Sequence, residues 1–233
     1  MYYPFFYDST YILVLIGVVI SMIASAKLNS TYQRYSSVRS MCGLTGAEVA
    51  QKLLNNQGLY DVTVRRVAGN LTDHYDPRTK TVNLSDSVYG STSIAAIGVA
   101  AHECGHAMQD ASDYSPLRIR AALVPAANLG SSLAWPLILI GLLLGGGGST
   151  LAGIGILLFS LAVLFQLVTL PVEINASSRA LKMLESTGIL GADEKKGARK
   201  VLTAAALTYV AALAASILQL LRLIILAGGR DRD

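Results

Sequence analysis

The sequence predicts a mainly α-helical integral membrane protein, with about four transmembrane helices and a small α+β domain with short antiparallel strands between the first and the second. The 233-residue chain is 52% hydrophobic and only 15% charged, which is unusual for a soluble domain. Lys and Arg are absent before Lys27 and between Arg120 and Arg179. In the polar regions the basic residues are interspersed with acidic ones, so the net charge of +4 does not indicate a nucleic-acid-binding surface. The distribution of the basic residues along the chain instead indicates membrane topology. We expect the lipid bilayer as a partner and no nucleic acid.

Residues 1–26 are predicted to form an N-terminal transmembrane anchor. The segment from Tyr11 to Ile23 is apolar apart from Ser21. A cleaved signal peptide is the alternative, because residues 24–26 resemble a small-residue cleavage site. However, the basic residues follow the apolar segment instead of preceding it. The positive-inside rule therefore favours a retained anchor with the N-terminus outside and the next segment in the cytoplasm.

Residues 27–120 are predicted to form a folded cytoplasmic domain. Thr45 and Glu48 have the spacing of a capping box that begins a helix, and Gly58 is a plausible end for it. Residues 62–67 and 79–84 are predicted to be short antiparallel strands. A strand that precedes the helix expected at about residues 91–110 is suited to binding an extended peptide at its edge.

The motif His102-Glu103-Cys104-Gly105-His106 lies on a helix that we expect to begin near residues 91–93 and to reach about residue 110. Residues four apart share one helix face, so both imidazoles can bind one Zn²⁺, with Glu103 beside them. Two ordinary surface histidines are the alternative. Cys104 faces the other side and is predicted to be a core residue. The apolar segment that precedes the motif, residues 94–101, is too short to span a bilayer, which places this helix in the polar domain. Residues 27–120 are therefore predicted to be a cytoplasmic zincin-like catalytic domain.

Two further long apolar segments form a predicted transmembrane hairpin at residues 121–170, with a glycine-rich turn at residues 145–150. Residues 171–200 are predicted to be a separate helix, begun by Pro171 and ended by Gly188, followed by a basic loop. Residues 201–233 complete the chain with a last apolar helix and a tail. Because this segment contains polar groups such as Tyr209, it either spans the membrane or forms a tilted wall of the site.

A catalytic zinc ion normally has three protein ligands, so one is missing from the motif. His74 and Glu173 are the candidates. The alternative for Glu173 is an ion pair with Arg179 at the membrane boundary. Peptide hydrolysis also needs a hydrogen-bond donor for the oxyanion, for which His74, Arg179 and Tyr209 are available. His74 as an ordinary loop residue and Tyr209 as a packing residue are the alternatives.

Several motifs together resemble the neutral zinc metallopeptidases of bacterial membranes, the YugP-like proteins. They are Gly98-Val99-Ala100-Ala101 before the histidine motif, Leu170-Pro171-Val172-Glu173, and Ala176-Ser177-Ser178-Arg179-Ala180. The chain is more distantly similar to the HtpX-like and CAAX prenyl proteases, gluzincins with a Glu-x-x-Ala-Asp motif. The resemblance implies that Glu173 is the third ligand. Ser177 stands in place of the acidic residue of that motif. Asn175 is the candidate to take over the role of the missing acidic residue, which is to orient a metal ligand.

The resemblance implies a membrane-bound zinc endopeptidase, in which Glu103 takes a proton from water and passes it to the leaving amine. The implied substrates are peptides or membrane proteins. The implied location is the bacterial plasma membrane, with quality control as the role suggested by the HtpX-like relatives. A non-catalytic zinc-binding scaffold or partner protein is the alternative, and it would need a fourth ligand such as His74 or Cys42. Intramembrane proteolysis would require a metal deep in the hydrocarbon layer.

Overall fold

Long helices dominate the protein. The computed structural model describes residues 9–144 and 148–228. Four helices in this part of the chain are long and apolar enough to cross a membrane, which confirms that prediction and indicates a membrane protein. They are α1 (Tyr11–Ser36), α5 (Ser115–Leu143), α6 (Ser149–Ser186) and α7 (Ala192–Gly228). The chain ends and residues 145–147, half of the predicted glycine-rich turn, lie outside the described residues.

Shorter elements lie between α1 and α5. They are α2 (Gly46–Asn56), β1 (Thr63–Val67), β2 (His74–Asp76), β3 (Thr81–Ser85), α3 (Asp86–Tyr89) and α4 (Ile94–Ala111). The chain divides into two compact units. The described parts of residues 1–25, 119–170 and 208–233 form one, here called the apolar unit, and residues 26–118 and 171–207 form the other, here called the site unit.

The described strands of the site unit form a mixed sheet in the order β1-β3-β2. β2 pairs with β3 in antiparallel fashion, but β1 pairs with β3 in parallel, so the prediction of antiparallel strands was wrong for that pair. The segment between β1 and β3 is long enough for a crossover, and a crossover returns the chain in the same direction. β2 itself was missed because it is three residues long and contains His74 and Asp76, which carry little strand propensity.

The core of the site unit lies between the sheet, α2 and α4. The predicted capping box is present, because the Thr45 hydroxyl accepts from Glu48 N and the Glu48 carboxylate accepts from Thr45 N. Gly58 adopts a φ of +74° just after the helix ends, as expected of a terminating glycine. Side chains such as Leu53, Leu84 and Ile97 are completely buried. Each such burial stabilises the fold by about 1.5–3 kcal/mol.

Pro171 does not begin a new helix, so that prediction was wrong. α6 continues through Pro171 from Ser149 to Ser186. A proline within a helix removes one backbone hydrogen bond, and the many intact turns on both sides of a long helix keep it continuous. The predicted basic loop is also mostly helical, because α7 begins at Ala192. Gly188 ends α6 as expected, with a φ of +62°. Glu173 therefore belongs to the same helix as an apolar segment.

Candidate metal centre

α4 positions the two histidines of the motif. Its N-terminus is capped by Ser93, whose hydroxyl accepts from Ala96 N at 3.2 Å, within the predicted start region. Cys104 points into the core, where its Sγ lies 3.6 Å from Ala50 O. Burial raises the pKa of the Cys104 thiol, so it remains protonated. Cys104 is therefore a core residue, as predicted, and the opposite face of α4 carries His102 and His106.

Glu173 of α6 meets both imidazoles. Its Oε2 lies 3.2 Å from His102 Nε2 and 3.6 Å from His106 Nε2, and the three ligand atoms all lie within 4.8 Å of one another. A tetrahedral zinc ion with ligands at about 2.1 Å separates its ligand atoms by about 3.4 Å. Two imidazoles and a carboxylate are also a common donor set of catalytic zinc. The two distances from Glu173 agree with this separation, and the donor chemistry of the three residues fits a zinc ion.

The metal group has three protein ligands in the part of the chain that the structure describes. No further His, Cys, Asp or Glu joins them there, so a fourth position is left for water or substrate. Glu103 follows His102 on α4 and is only 7% exposed. Its carboxylate makes no hydrogen bond or ion pair within the described residues. Because burying an unpaired negative charge is costly, a cation or a proton nearby would stabilise this carboxylate.

The field around His106 is negative. Burial by itself lowers the pKa of His106, but the hydrogen bond to Glu173 and the charges of Glu103 and Glu173 outweigh burial and raise this pKa above its ordinary value. A potential that stabilises a proton on the imidazole also stabilises a divalent cation at the same place. The negative potential at His106 and the donor atoms of the three residues therefore both favour binding of a metal cation.

Ser177 orients the first histidine. Its Oγ lies 3.1 Å from His102 Nδ1, the ring nitrogen opposite the one that faces Glu173. A partner on the second nitrogen of a metal-binding histidine fixes the direction of the ring. The resemblance to the HtpX-like and CAAX proteases implies that Ser177 stands where they carry the acidic residue of their motif. A hydroxyl thus contacts the histidine from this position.

Gln109 orients the second histidine, and the sequence analysis did not single it out. This side chain is completely buried, and its Nε2 donates to Val172 O at 2.8 Å and to Asn175 Oδ1 at 3.0 Å. Because a backbone carbonyl can only accept, Oε1 must face His106 Nδ1 at 2.9 Å and accept its proton. The lone pair of His106 then lies on Nε2, the atom that faces Glu173. Asn175, expected to orient a ligand, contacts Gln109 instead.

Arg179 links α6 to the C-terminal end of α4. Its Nε donates to Asn175 Oδ1 at 2.8 Å, and its NH1 donates to Met108 O at 3.4 Å. The guanidinium carbon also lies 5.7 Å from the ring centroid of Tyr114. These contacts support a role in positioning Asn175 and Gln109, and the predicted oxyanion role of Arg179 stays a prediction.

The other two residues predicted for catalysis lie on different elements. His74 is exposed on β2, where Nδ1 lies 2.9 Å from Thr72 O and Nε2 lies 3.2 Å from Asn83 Nδ2. It is not in the metal group, whose third member is Glu173. Tyr209 is on α7, in a stretch assigned to the apolar unit. The oxyanion roles of both residues stay predictions.

Gly105 allows α6 to approach α4 at the metal group. A Cβ placed on Gly105 would lie 3.0 Å from the Ala176 carbonyl carbon and closer still to its oxygen. Real Cβ atoms do not approach a backbone so closely, so only glycine fits here. The sequence offers one signal for this contact, a glycine inside a helix. Glycine destabilises a helix interior by about 0.5–1 kcal/mol relative to alanine, so its presence there indicates a packing requirement.

Comparison with known proteins agrees with this centre. The family described as "Putative neutral zinc metallopeptidase" matches residues 10–228. The "Putative membrane protease YugP" of Bacillus subtilis (strain 168) is 49% identical over 215 residues, which cover 92% of this chain and 95% of that protein. No solved structure is significantly similar to the chain. The resemblance drawn from the motifs is thereby confirmed.

Proposed function

The chain belongs to the neutral zinc metallopeptidase family, and from this premise we propose that it is a membrane-bound zinc endopeptidase of the gluzincin type. The observation that carries the proposal is that Glu173 Oε2 lies 3.2 Å and 3.6 Å from the Nε2 atoms of His102 and His106, in a group that could hold a metal ion. A zinc ion bound there supplies a Lewis acid that activates water and polarises the scissile carbonyl.

Glu103 is the general base of the proposed reaction. It adjoins a ligand on α4, it is nearly buried, and it has no hydrogen-bond partner among the described residues. Its carboxylate accepts a proton from the attacking water and returns it to the nitrogen of the leaving amine. Ser177 and Gln109 hold the imidazole rings in place during these proton transfers, which limits the reorganisation that the reaction requires.

The edge of the sheet is the proposed docking place for the substrate backbone. The predicted strand directly ahead of α4 is β3, which is paired on both sides and offers no free edge, contrary to the expectation from chain order. β2 lies at the end of the strand order and, among the described strands, pairs with β3 alone. It also contacts α4. An extended peptide that adds to such an edge gains main-chain hydrogen bonds independent of its sequence. His74 is on this strand, where it is close to a peptide bound in this way.

The proposed location is the bacterial plasma membrane, with a multi-pass topology and the metal centre on the cytoplasmic side. Three observations support this location. They are the four apolar helices, the name of the Bacillus relative as a membrane protease, and the distribution of basic residues along the chain. Peptides or membrane proteins are the proposed substrates, and membrane-protein quality control is the proposed role. The lipid bilayer is the expected surrounding, and no nucleic-acid partner is proposed.

A non-catalytic scaffold with a structural zinc ion is less well supported. Such sites are normally closed by a fourth protein ligand. His74 and Cys42 were the candidates for closing the site, and neither belongs to the metal group found among the described residues. An open fourth position suits catalysis better than structure.

Three purified proteins test the proposal: the wild type, Glu103→Gln and Glu173→Ala. We expect Glu103→Gln to keep zinc and lose cleavage of a casein-type peptide, and Glu173→Ala to lose both. Asp193, whose side chain is 93% exposed, provides the control Asp193→Asn, which keeps both. Full cleavage by Glu103→Gln contradicts the enzyme proposal, and full zinc occupancy in Glu173→Ala contradicts the ligand assignment.

A further inference from the structure

A groove of about 510 Å³ lies between α6 and α7 within the site unit. The α6 wall includes Ser178, Leu181 and Lys182, which share a face of the helix because Leu181 and Lys182 follow Ser178 by three and four positions. The α7 wall includes Arg199 and Thr203. Pockets of about 300–1,000 Å³ are typical of ligand sites, so this groove is large enough for a short peptide segment.

Ser177 connects the groove to the metal group at the edge of the His102 ring that faces away from Glu173. This residue lines the groove and its Oγ also contacts His102 Nδ1 at 3.1 Å. Ile174, the neighbour of Glu173 in the chain, lines the groove as well. Lys182 follows Ser177 by five positions, or about 7.5 Å along a helix axis. An extended peptide advances about 3.3 Å per residue, so it covers this distance in about two or three residues.

The groove carries an excess of hydrogen-bond donors and positive charge. Lys182 and Arg199 are both exposed, and neither makes an ion pair within the described part of the chain. Glu185, the acidic residue of the lining, is neutralised by Lys195 Nζ at 2.6 Å. The hydroxyl of Thr203 has no hydrogen-bond partner in the described residues. These exposed groups are available to a ligand that accepts hydrogen bonds and carries negative charge.

We propose that this groove binds the substrate residues beside the scissile bond and selects an acidic side chain about two to four residues from it. The inference rests on the proposed function, because the peptide is taken to extend from the metal group. Leu181 and Leu202 of the lining add apolar surface for the neighbouring side chains. An anionic lipid headgroup would satisfy the same charges, but the continuity with His102 through Ser177 favours a peptide.

Paired peptides measure this selectivity. The two peptides have one sequence and one scissile bond, and differ by Glu or Gln at positions two to four residues from that bond. We expect the wild type to cleave the Glu peptide with a kcat/KM about tenfold higher. The double variant Lys182→Glu/Arg199→Glu should abolish or reverse this preference. Lys200 is exposed next to Arg199 but outside the groove, so the control Lys200→Glu should retain it.

Binding gives a second measurement that needs no catalysis. In the background of Glu103→Gln, a fluorescently labelled Glu peptide should bind about tenfold more tightly than the Gln peptide, and the double variant should remove the difference. This result without any cleavage by the wild type would contradict the proposed hydrolysis, and with it the position beside a scissile bond, while the preference of the groove for an acidic peptide would stand. Equal binding of the two peptides would overturn the groove inference. Displacement by short-chain phosphatidylglycerol, with equal binding of the peptides, would also overturn it and assign a lipid.

Discussion

Gly105 of α4 packs directly against the backbone carbonyl of Ala176 in α6. The two residues are close to all three candidate ligands in the chain, because Gly105 precedes His106 and Ala176 follows Glu173 by three positions. A Cβ on Gly105 would overlap the carbonyl group of Ala176. The missing side chain therefore sets the separation of the two helices at the point where the ligand atoms meet.

We predict that Gly105→Ala lowers zinc affinity by at least tenfold, because α6 must move away and carry Glu173 from the imidazoles. Gly98→Ala on the same helix is the matched control. Its new Cβ would meet Ala198 at an ordinary 3.5 Å, so zinc affinity should stay within about twofold. Competition with a chromogenic chelator measures both variants. Equal affinities in the two would show that the close approach does not position Glu173.

We predict that Gln109→Leu weakens zinc binding by about 10–100-fold, the usual effect of losing the partner of a metal-binding histidine. Gln109→Glu should retain more affinity, because a carboxylate oxygen still accepts from His106 Nδ1. Both variants should lower the melting temperature of the metal-free protein, since Val172 O and Asn175 lose a donor. Chelator competition and thermal unfolding separate the two effects. Identical zinc affinities in both variants would contradict the orienting role.

Local signals in the sequence were sufficient for some features and not for others. Some features depend on residues at most a few positions apart and can be identified from their spacing alone. They are the pair of His102 and His106, the Thr45 capping box and the terminating Gly188. The contact of Gln109 with Val172 O depends on how two helices pack, 63 positions apart. The parallel pairing of β1 with β3 depends in the same way on the path of the chain between them.

Ser177 should be replaceable by a stronger partner for His102. We predict that Ser177→Ala lowers zinc affinity by about tenfold, because the ring loses the contact that fixes it. Ser177→Asp should raise the affinity above that of Ser177→Ala, since a carboxylate accepts a stronger hydrogen bond from an imidazole N–H. The neighbouring Ser178 makes no hydrogen bond in the described residues, so Ser178→Ala is the control for zinc affinity. Weaker zinc binding by Ser177→Asp than by Ser177→Ala would refute the orienting contact.

Zinc should stabilise the folded protein through Glu173. A ligand that binds only the folded state adds about 4 kcal/mol of stability at a concentration a thousand times its dissociation constant. We therefore predict that zinc raises the melting temperature of the detergent-solubilised wild type by several degrees. Glu173→Gln preserves the shape of the side chain but removes its charge, so the rise should largely disappear. Glu103→Gln should retain the rise, because Glu103 is assigned to proton transfer and not to metal binding. A full rise in Glu173→Gln would exclude this carboxylate as a ligand, and the loss of the rise in Glu103→Gln would exclude the division of roles between the two glutamates.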